Sequence, residues 1–186
     1  TLAAYDLTKK NVLTPDPENG PLAVTQVGEI RSRGIELEGT ASPMDGLNVT
    51  LSYAFNDAEV TKDEPDADGV SREGNRPQLA PENLASAWAD YTFQSGGLKG
   101  LLLGGGVRYV GSTWADEANT FKNDSYVLFD AAMRYDFGNM YEPFRGATFG
   151  LSANNLFDKQ YFTCFSLADC NWGPGRTVFA TLAYRW

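Results

Sequence analysis

Hydrophobic and polar residues alternate along most of this chain. In "LNVTLSYAF", Leu47, Val49, Leu51, Tyr53 and Phe55 alternate with Asn48, Thr50, Ser52 and Ala54, and in "YVLFDAAMRYDF" Val127, Phe129, Ala131, Met133, Tyr135 and Phe137 alternate with Leu128, Asp130, Ala132, Arg134 and Asp136. "ASAWADYTF", "ATFGLSANN", "GIELEGTA" and "LLLGGGVRYV" repeat the split. At the C-terminus Val178, Ala180, Leu182, Tyr184 and Trp186 alternate with Thr177, Thr181, Ala183 and Arg185. A period of two is that of a strand whose successive side chains leave opposite faces. The pattern predicts eight strands, over 2–12, 22–41, 46–62, 80–94, 98–114, 125–138, 146–162 and 175–186.

The links between these strands alternate in length. "SPMDG", "QSGG" and "GNMYEPFRG" are short, whereas "LTPDPENGP", "KDEPDADGVSREGNRPQ", "GSTWADEANTFKND" and "FTCFSLADCNWGP" are long and polar. Short turns therefore gather on one rim and long loops on the other, as in outer-membrane barrels. The alternation alone does not say which face is inside. A soluble barrel or sandwich hides the apolar set, and a membrane barrel turns it to lipid. Three features favour lipid: the strands are long, aromatic residues gather at strand ends, and the chain stops on an aromatic. The predicted class is all-β, an antiparallel transmembrane β-barrel. On this reading Val127, Phe129, Met133, Leu151 and Leu182 meet lipid, while Asp130, Arg134, Ser152 and Thr181 face the lumen.

Composition adjusts this picture in a few places. Aromatic residues make up 13% of the chain and there are 19 Gly and 9 Pro, which favours strands and turns over helices. A formal charge of −9 leaves no basic surface to displace counterions from nucleic acid. No run of about 18 apolar residues is present, so no transmembrane helix is predicted, and that says nothing about a barrel. Thr1 opens directly into strand-like sequence without a Met or a leader and reads as a cut edge. Cys164 and Cys170 lie close together in a turn-rich stretch. They suit a small disulfide loop in an oxidising compartment, with two free thiols as the alternative.

Catalytic chemistry finds little support. The chain has no histidine, which removes Ser-His-Asp and Cys-His catalysis and the commonest metal ligand. "DEPDADGVSREGN" is no EF-hand: with Gly69 at loop position six, Asn75 falls where a bidentate carboxylate is needed. "GGG" at 104–106 lacks the third glycine and the following helix of a dinucleotide loop. The inward charges Glu36, Glu38, Asp90, Arg108, Asp130, Arg134, Asp136 and Arg185 read first as wall, where opposite signs on neighbouring strands can pair.

"GEIRSRGIELEGTASPMDGLNVTLSYAFNDAEVT" resembles the barrel of TonB-dependent siderophore receptors. "YDLTKKNVLTPDP", "GNRPQLAPENLASAWADYTF", "GGGVRYVGSTWADEANTFKNDSYVLFDAAMRYDF", "LSANNLFDKQYFTCF" and "CNWGPGRTVFATLAYRW" follow in the order of that family, and are similar to the ferrichrome-type members. The resemblance implies a 22-stranded outer-membrane barrel with an N-terminal plug. Residues 1–186 would be the C-terminal third of the barrel, with the plug and its TonB-contacting box absent. It implies uptake of a ferric siderophore of hydroxamate type, no covalent chemistry, and iron only as the siderophore chelate, so no cofactor. The end formed by Leu182, Tyr184 and Trp186 resembles the signal read by the barrel-assembly machinery. "CFSLADC" resembles a disulfide-closed extracellular loop in which an aromatic after the first cysteine touches the ligand, a place held here by Phe165. Trp172, Trp114 and Tyr161 near the same rim are further ligand-binding candidates, with loop packing as their alternative use. The rival architectures are a complete eight-stranded outer-membrane barrel of structural or adhesive role, an outer-membrane enzyme and a lipocalin-like binder.

Overall fold

The structure is a computed structural model that describes every residue except Pro21 and Met140. Twelve strands occur among the described residues: β1 (Leu2–Pro15), β2 (Val24–Met44), β3 (Leu47–Lys62), β4 (Asn83–Thr92), β5 (Leu102–Val110), β6 (Thr113–Trp114), β7 (Lys122–Asn123), β8 (Tyr126–Asp136), β9 (Ala147–Asn154), β10 (Phe162–Cys164), β11 (Cys170–Trp172) and β12 (Thr177–Tyr184). Eight of them form one antiparallel sheet in the order β1-β2-β3-β4-β5-β8-β9-β12. The short pairs β6–β7 and β10–β11 are separate hairpins inside long loops. Each main strand pairs with its neighbours in sequence. The outer sides of β1 and β12 carry no ladder partner among the described residues, so the sheet is open.

Register turns the alternation into two surfaces. Leu47, Tyr91, Leu103, Met133, Leu151 and Ala180 form one row across the sheet. The row on the opposite face is Asn48, Asp90, Gly104, Ala132, Ser152 and Phe179. The lipid and lumen sets expected from sequence thus fall on opposite faces. Leu37, Leu51, Phe129, Val178 and Leu182 are all exposed on the apolar face. Among the described residues only Ala58, Ala115, Leu128 and Cys164 are buried and apolar. A single sheet has no sandwiched core, and an apolar face of this size in water would be an association surface; in a bilayer it is the solvent contact.

Dimensions agree. β4, β5 and β8 hold 10, 9 and 11 residues, and a tilted strand needs about 9–11 to cross a bilayer. Aromatic pairs two residues apart mark the short-turn boundary on the apolar face: Tyr91–Phe93, Tyr135–Phe137 and Tyr184–Trp186, with ring centroids 5.1, 5.4 and 6.5 Å apart. β2 and β3 are longer, at 21 and 16 residues. Above Leu37 and Ile35 the same face of β2 changes to Arg33 and Arg31. Arg31 there makes a two-pronged contact with Asp6, its Nε–Oδ1 distance being 2.8 Å. That switch marks where hydrocarbon gives way to water.

Several expected strands are shortened. The segment expected over 98–114 begins its ladder at Leu102, after a 3-10 turn at Gly96–Leu98, and leaves it at Gly111, whose amide bonds the Asn83 carbonyl. The one expected over 146–162 stops at Asn154 because Asn155 adopts φ 52°, a left-handed conformation that ends a strand. β1 runs further than expected, through a bulge at Asn11, φ 60°. The glycines of "GGG" have a packing use. A Cβ at Gly104 or Gly106 would stand 2.6 or 2.5 Å from the Trp88 ring, which lies flat across β5 on the polar face. Phe179 breaks the terminal alternation and sits on the polar face beside Ser152.

Candidate functional site

The long loops fold onto one another, held mostly by side-chain amides. Asn123, nearly buried at the end of the β6–β7 hairpin, accepts from the Cys164 amide at 2.7 Å and donates to the Cys164 carbonyl at 3.1 Å. It thus grips the β10–β11 hairpin as a neighbouring strand would. Asn119, φ 56°, does the same to Arg76, accepting from its amide at 2.8 Å and donating to its carbonyl at 2.9 Å. Asn75 donates to the Glu117 carbonyl. Arg72 ties Asp63, whose side chain is 2% exposed, to Glu117. Segments 63–82, 111–125 and 155–176 therefore form one laced cover over the long-loop rim.

Each turn in the cover is fixed locally as well. The Asp116 carboxylate accepts from the Thr120 hydroxyl at 2.7 Å and from the amides of Thr120 and Phe121. Those donors hold its carboxyl below the ordinary range, the Thr120 hydroxyl most strongly. In the acidic stretch around Gly69, Asp66 accepts from the amides of Asp68 and Val70, so this carboxylate serves as a turn former. No group of three or more potential metal-ligating side chains occurs among the described residues.

Cys164 and Cys170 are disulfide-bonded and close the β10–β11 hairpin, with Cys164 fully buried. Phe165 follows the bridge. Its amide donates to the Asp169 carbonyl at 2.8 Å and the residue is 41% exposed. Trp114, on β6, lies under the Lys122 ammonium, 4.3 Å from ring centroid to Nζ, and its carbonyl accepts from Leu79. Gln78 links the two loops through their backbone: its side-chain amide donates to the Phe165 carbonyl and to the carbonyl of Ala115, the residue after Trp114.

The other two candidates sit lower. Tyr161 stacks on Tyr126 with centroids 4.2 Å apart, on the polar face near Arg108 and Phe179. Trp172 is 72% exposed and meets Phe162 edge-on at 5.8 Å, two residues below the bridge. The structure thus joins the loops that carry Phe165 and Trp114 and gives Tyr161 and Trp172 aromatic packing partners of their own. At the chain end Leu182 and Tyr184 lie exposed on the apolar face, and Trp186 extends past the ladder.

Beneath the cover, Arg108 and Asp130 pair through both guanidinium prongs at 2.6 and 2.9 Å, and Asp130 also accepts from the Asn155 amide at 2.9 Å. A cavity of about 350 Å³ opens there, lined by Arg108, Asp130, Asn155, Tyr161 and Phe179 among others. Asp90 bonds Asn48 and the Trp88 indole. The amides that organise the rim were not marked by the sequence. A lone Asn or Gln in a polar loop looks solvated, and only partners 41 or 87 positions away show its use.

An open antiparallel sheet with one lipid-matched face, one polar face, short turns below and a laced loop cover above is part of the wall of a large membrane barrel of receptor type. Over residues 1–156 the chain matches the family described as TonB dependent receptor-like, beta-barrel. It belongs to that family, whose barrels are integral to the outer membrane. It is 45% identical to the ferrichrome outer membrane transporter/phage receptor of Escherichia coli over all 186 residues, which is 24% of that protein. It is 39% identical to the ferrioxamine receptor of Yersinia enterocolitica over 98% of the chain and 24% of that protein. The solved siderophore receptor PiuA from Acinetobacter baumannii superposes with TM-score 0.78 at 26% identity, covering 98% of this chain and 25% of that one. The chain therefore spans about a quarter of the length of the relatives it matches.

Proposed function

We propose that this chain is the C-terminal wall of a receptor that takes up a ferric siderophore of hydroxamate type across the outer membrane. Iron is cargo, carried inside its chelate, and the protein supplies a surface and no covalent chemistry. The observation that carries the reading is the disulfide-closed hairpin, with Phe165 half-exposed and fixed on both sides of its backbone. A fixed aromatic costs little ordering on contact with a ligand. The names of the relatives, ferrichrome and ferrioxamine receptors, support the same class.

In the whole receptor, coupling to TonB would run through a plug region outside these residues. Insertion would depend on the barrel-assembly machinery reading the end at Leu182, Tyr184 and Trp186. The open sheet and the length of the relatives do not favour a complete eight-stranded barrel. Phe165→Ala in the intact receptor is expected to weaken ferric-siderophore binding by about 1–2 kcal/mol, an ordinary aromatic contact. Mass spectrometry without reductant should recover the Cys164–Cys170 peptide in the same preparation. Unchanged affinity in a folded variant would leave the hairpin as structure alone.

A further inference from the structure

We infer that Gln78 is the positioning residue of this site, and that its carboxamide sets where Phe165 stands by bridging two other loops. The inference rests on the reading of Phe165 as a ligand contact. Gln78 Nε2 carries two hydrogens. One goes to the Phe165 carbonyl at 2.5 Å and the other to the Ala115 carbonyl. Among the described residues this is the one hydrogen bond between segment 63–82 and the disulfide hairpin.

The groups around Phe165 show what the bridge adds. The peptide before it is held at Cys164 by Asn123, and its own amide by Asp169. Its carbonyl side is held by Gln78. With that contact made, both backbone torsions of Phe165 are set and the ring has a fixed origin. The next hold along the chain is the Ser166 hydroxyl, which accepts from the amides of Ala168 and Asp169 within the hairpin, so the Gln78 contact is the one that ties this carbonyl to another loop.

Gln78 is itself immobilised. Arg76 is paired at amide and carbonyl with Asn119, and the Leu79 amide donates to the Trp114 carbonyl at 2.9 Å. Leu79 has φ 59°, a left-handed conformation unfavourable for a bulky side chain. Such strain persists where surrounding contacts over-determine the backbone, and it clusters at sites that need a group aimed. Here the strained residue adjoins the glutamine that faces two carbonyls.

The test uses Gln78→Glu in the intact receptor in detergent. The change keeps volume and replaces two donors by a carboxylate facing two carbonyl oxygens. Hydrogen exchange without ligand is followed through residues 113–123 and 162–172, and binding of ferrichrome and ferrioxamine is measured alongside. At neutral pH we expect faster exchange in both segments, affinity reduced about tenfold, as for an opposed buried polar group, and no further loss when Phe165→Ala is combined with it. Acidification that protonates the new carboxylate restores one donor, so part of both effects reverses in the variant and not in the native receptor. Native exchange rates in both segments would overturn the inference, as would losses that simply add to those of Phe165→Ala. Faster exchange in a receptor whose Phe165→Ala form binds normally would uphold the bridge and remove the ligand-contact reading instead. If Gln78→Glu does not fold, Gln78→Met removes both donors without a charge and is expected to show the same exchange pattern at smaller amplitude.

Discussion

Asn155 shows how much of the rim depends on single amides. At φ 52° it ends β9, accepts from the Lys159 amide at 2.8 Å, and donates to the carbonyls of Lys159 and Pro174 at 2.9 and 3.1 Å. Its own amide is taken by Asp130, so it joins the lumenal ion pair to the root of the disulfide hairpin. The residue is 3% exposed. Asn155→Ala would leave three backbone groups without their partner in a place water reaches poorly. The expected cost is about 2–3 kcal/mol, since stranded buried groups lose their full solvation. Thermal unfolding of the intact receptor in detergent, with hydrogen exchange at 156–176, measures it; a change within error would mean that water substitutes for the amide.

Strands are where sequence and structure agree best, for a reason visible at Ala131 and Ala132. These neighbours have the same side chain and opposite surroundings: Ala131 shares its row with Gly105 and Ala153, and Ala132 with Gly104 and Ser152. Arginine at Ala131 is expected to cost about 2–4 kcal/mol in lipid and much less at Ala132. Refolding titrations in bilayers compare the two; equal costs would remove the assignment of the faces, and a higher cost at Ala132 would reverse it. Alternation is a local signal enforced at every residue by the solvent on each side, so LNVTLSYAF and YVLFDAAMRYDF could be read without neighbours. Strand ends depend on particular contacts, and the left-handed Asn155 and the Gly111–Asn83 bond moved two of them. The hairpin β6–β7 was hidden because its pairing spans two residues per strand. Phe165 is reached only through the resemblance of CFSLADC to a known loop, and Gln78 carries no comparable signal, its partners being supplied by the fold.

At the scale of the molecule, the sheet has two free margins. Among the described residues, β1 and β12 each present unpaired N–H and C=O groups on one side, and in hydrocarbon such groups cost several kcal/mol each. Residues 1–186 refolded alone should therefore give aggregates or edge-paired oligomers, not a protease-resistant monomer that shifts on gels with heating. Such a monomer would show the margins meeting. Strand length is also uneven across the sheet. β2 contains 21 residues and β12 contains 8, which at about 3.4 Å per residue is roughly 70 Å of strand against 27 Å. Both strands end near the short turns, so β2 reaches much further toward the long-loop rim than β12 does, and the bridged hairpin stands on the low side, between β9 and β12. The wall is thus lopsided, a tall screen at β2 and a low sill beside the hairpin that carries Phe165.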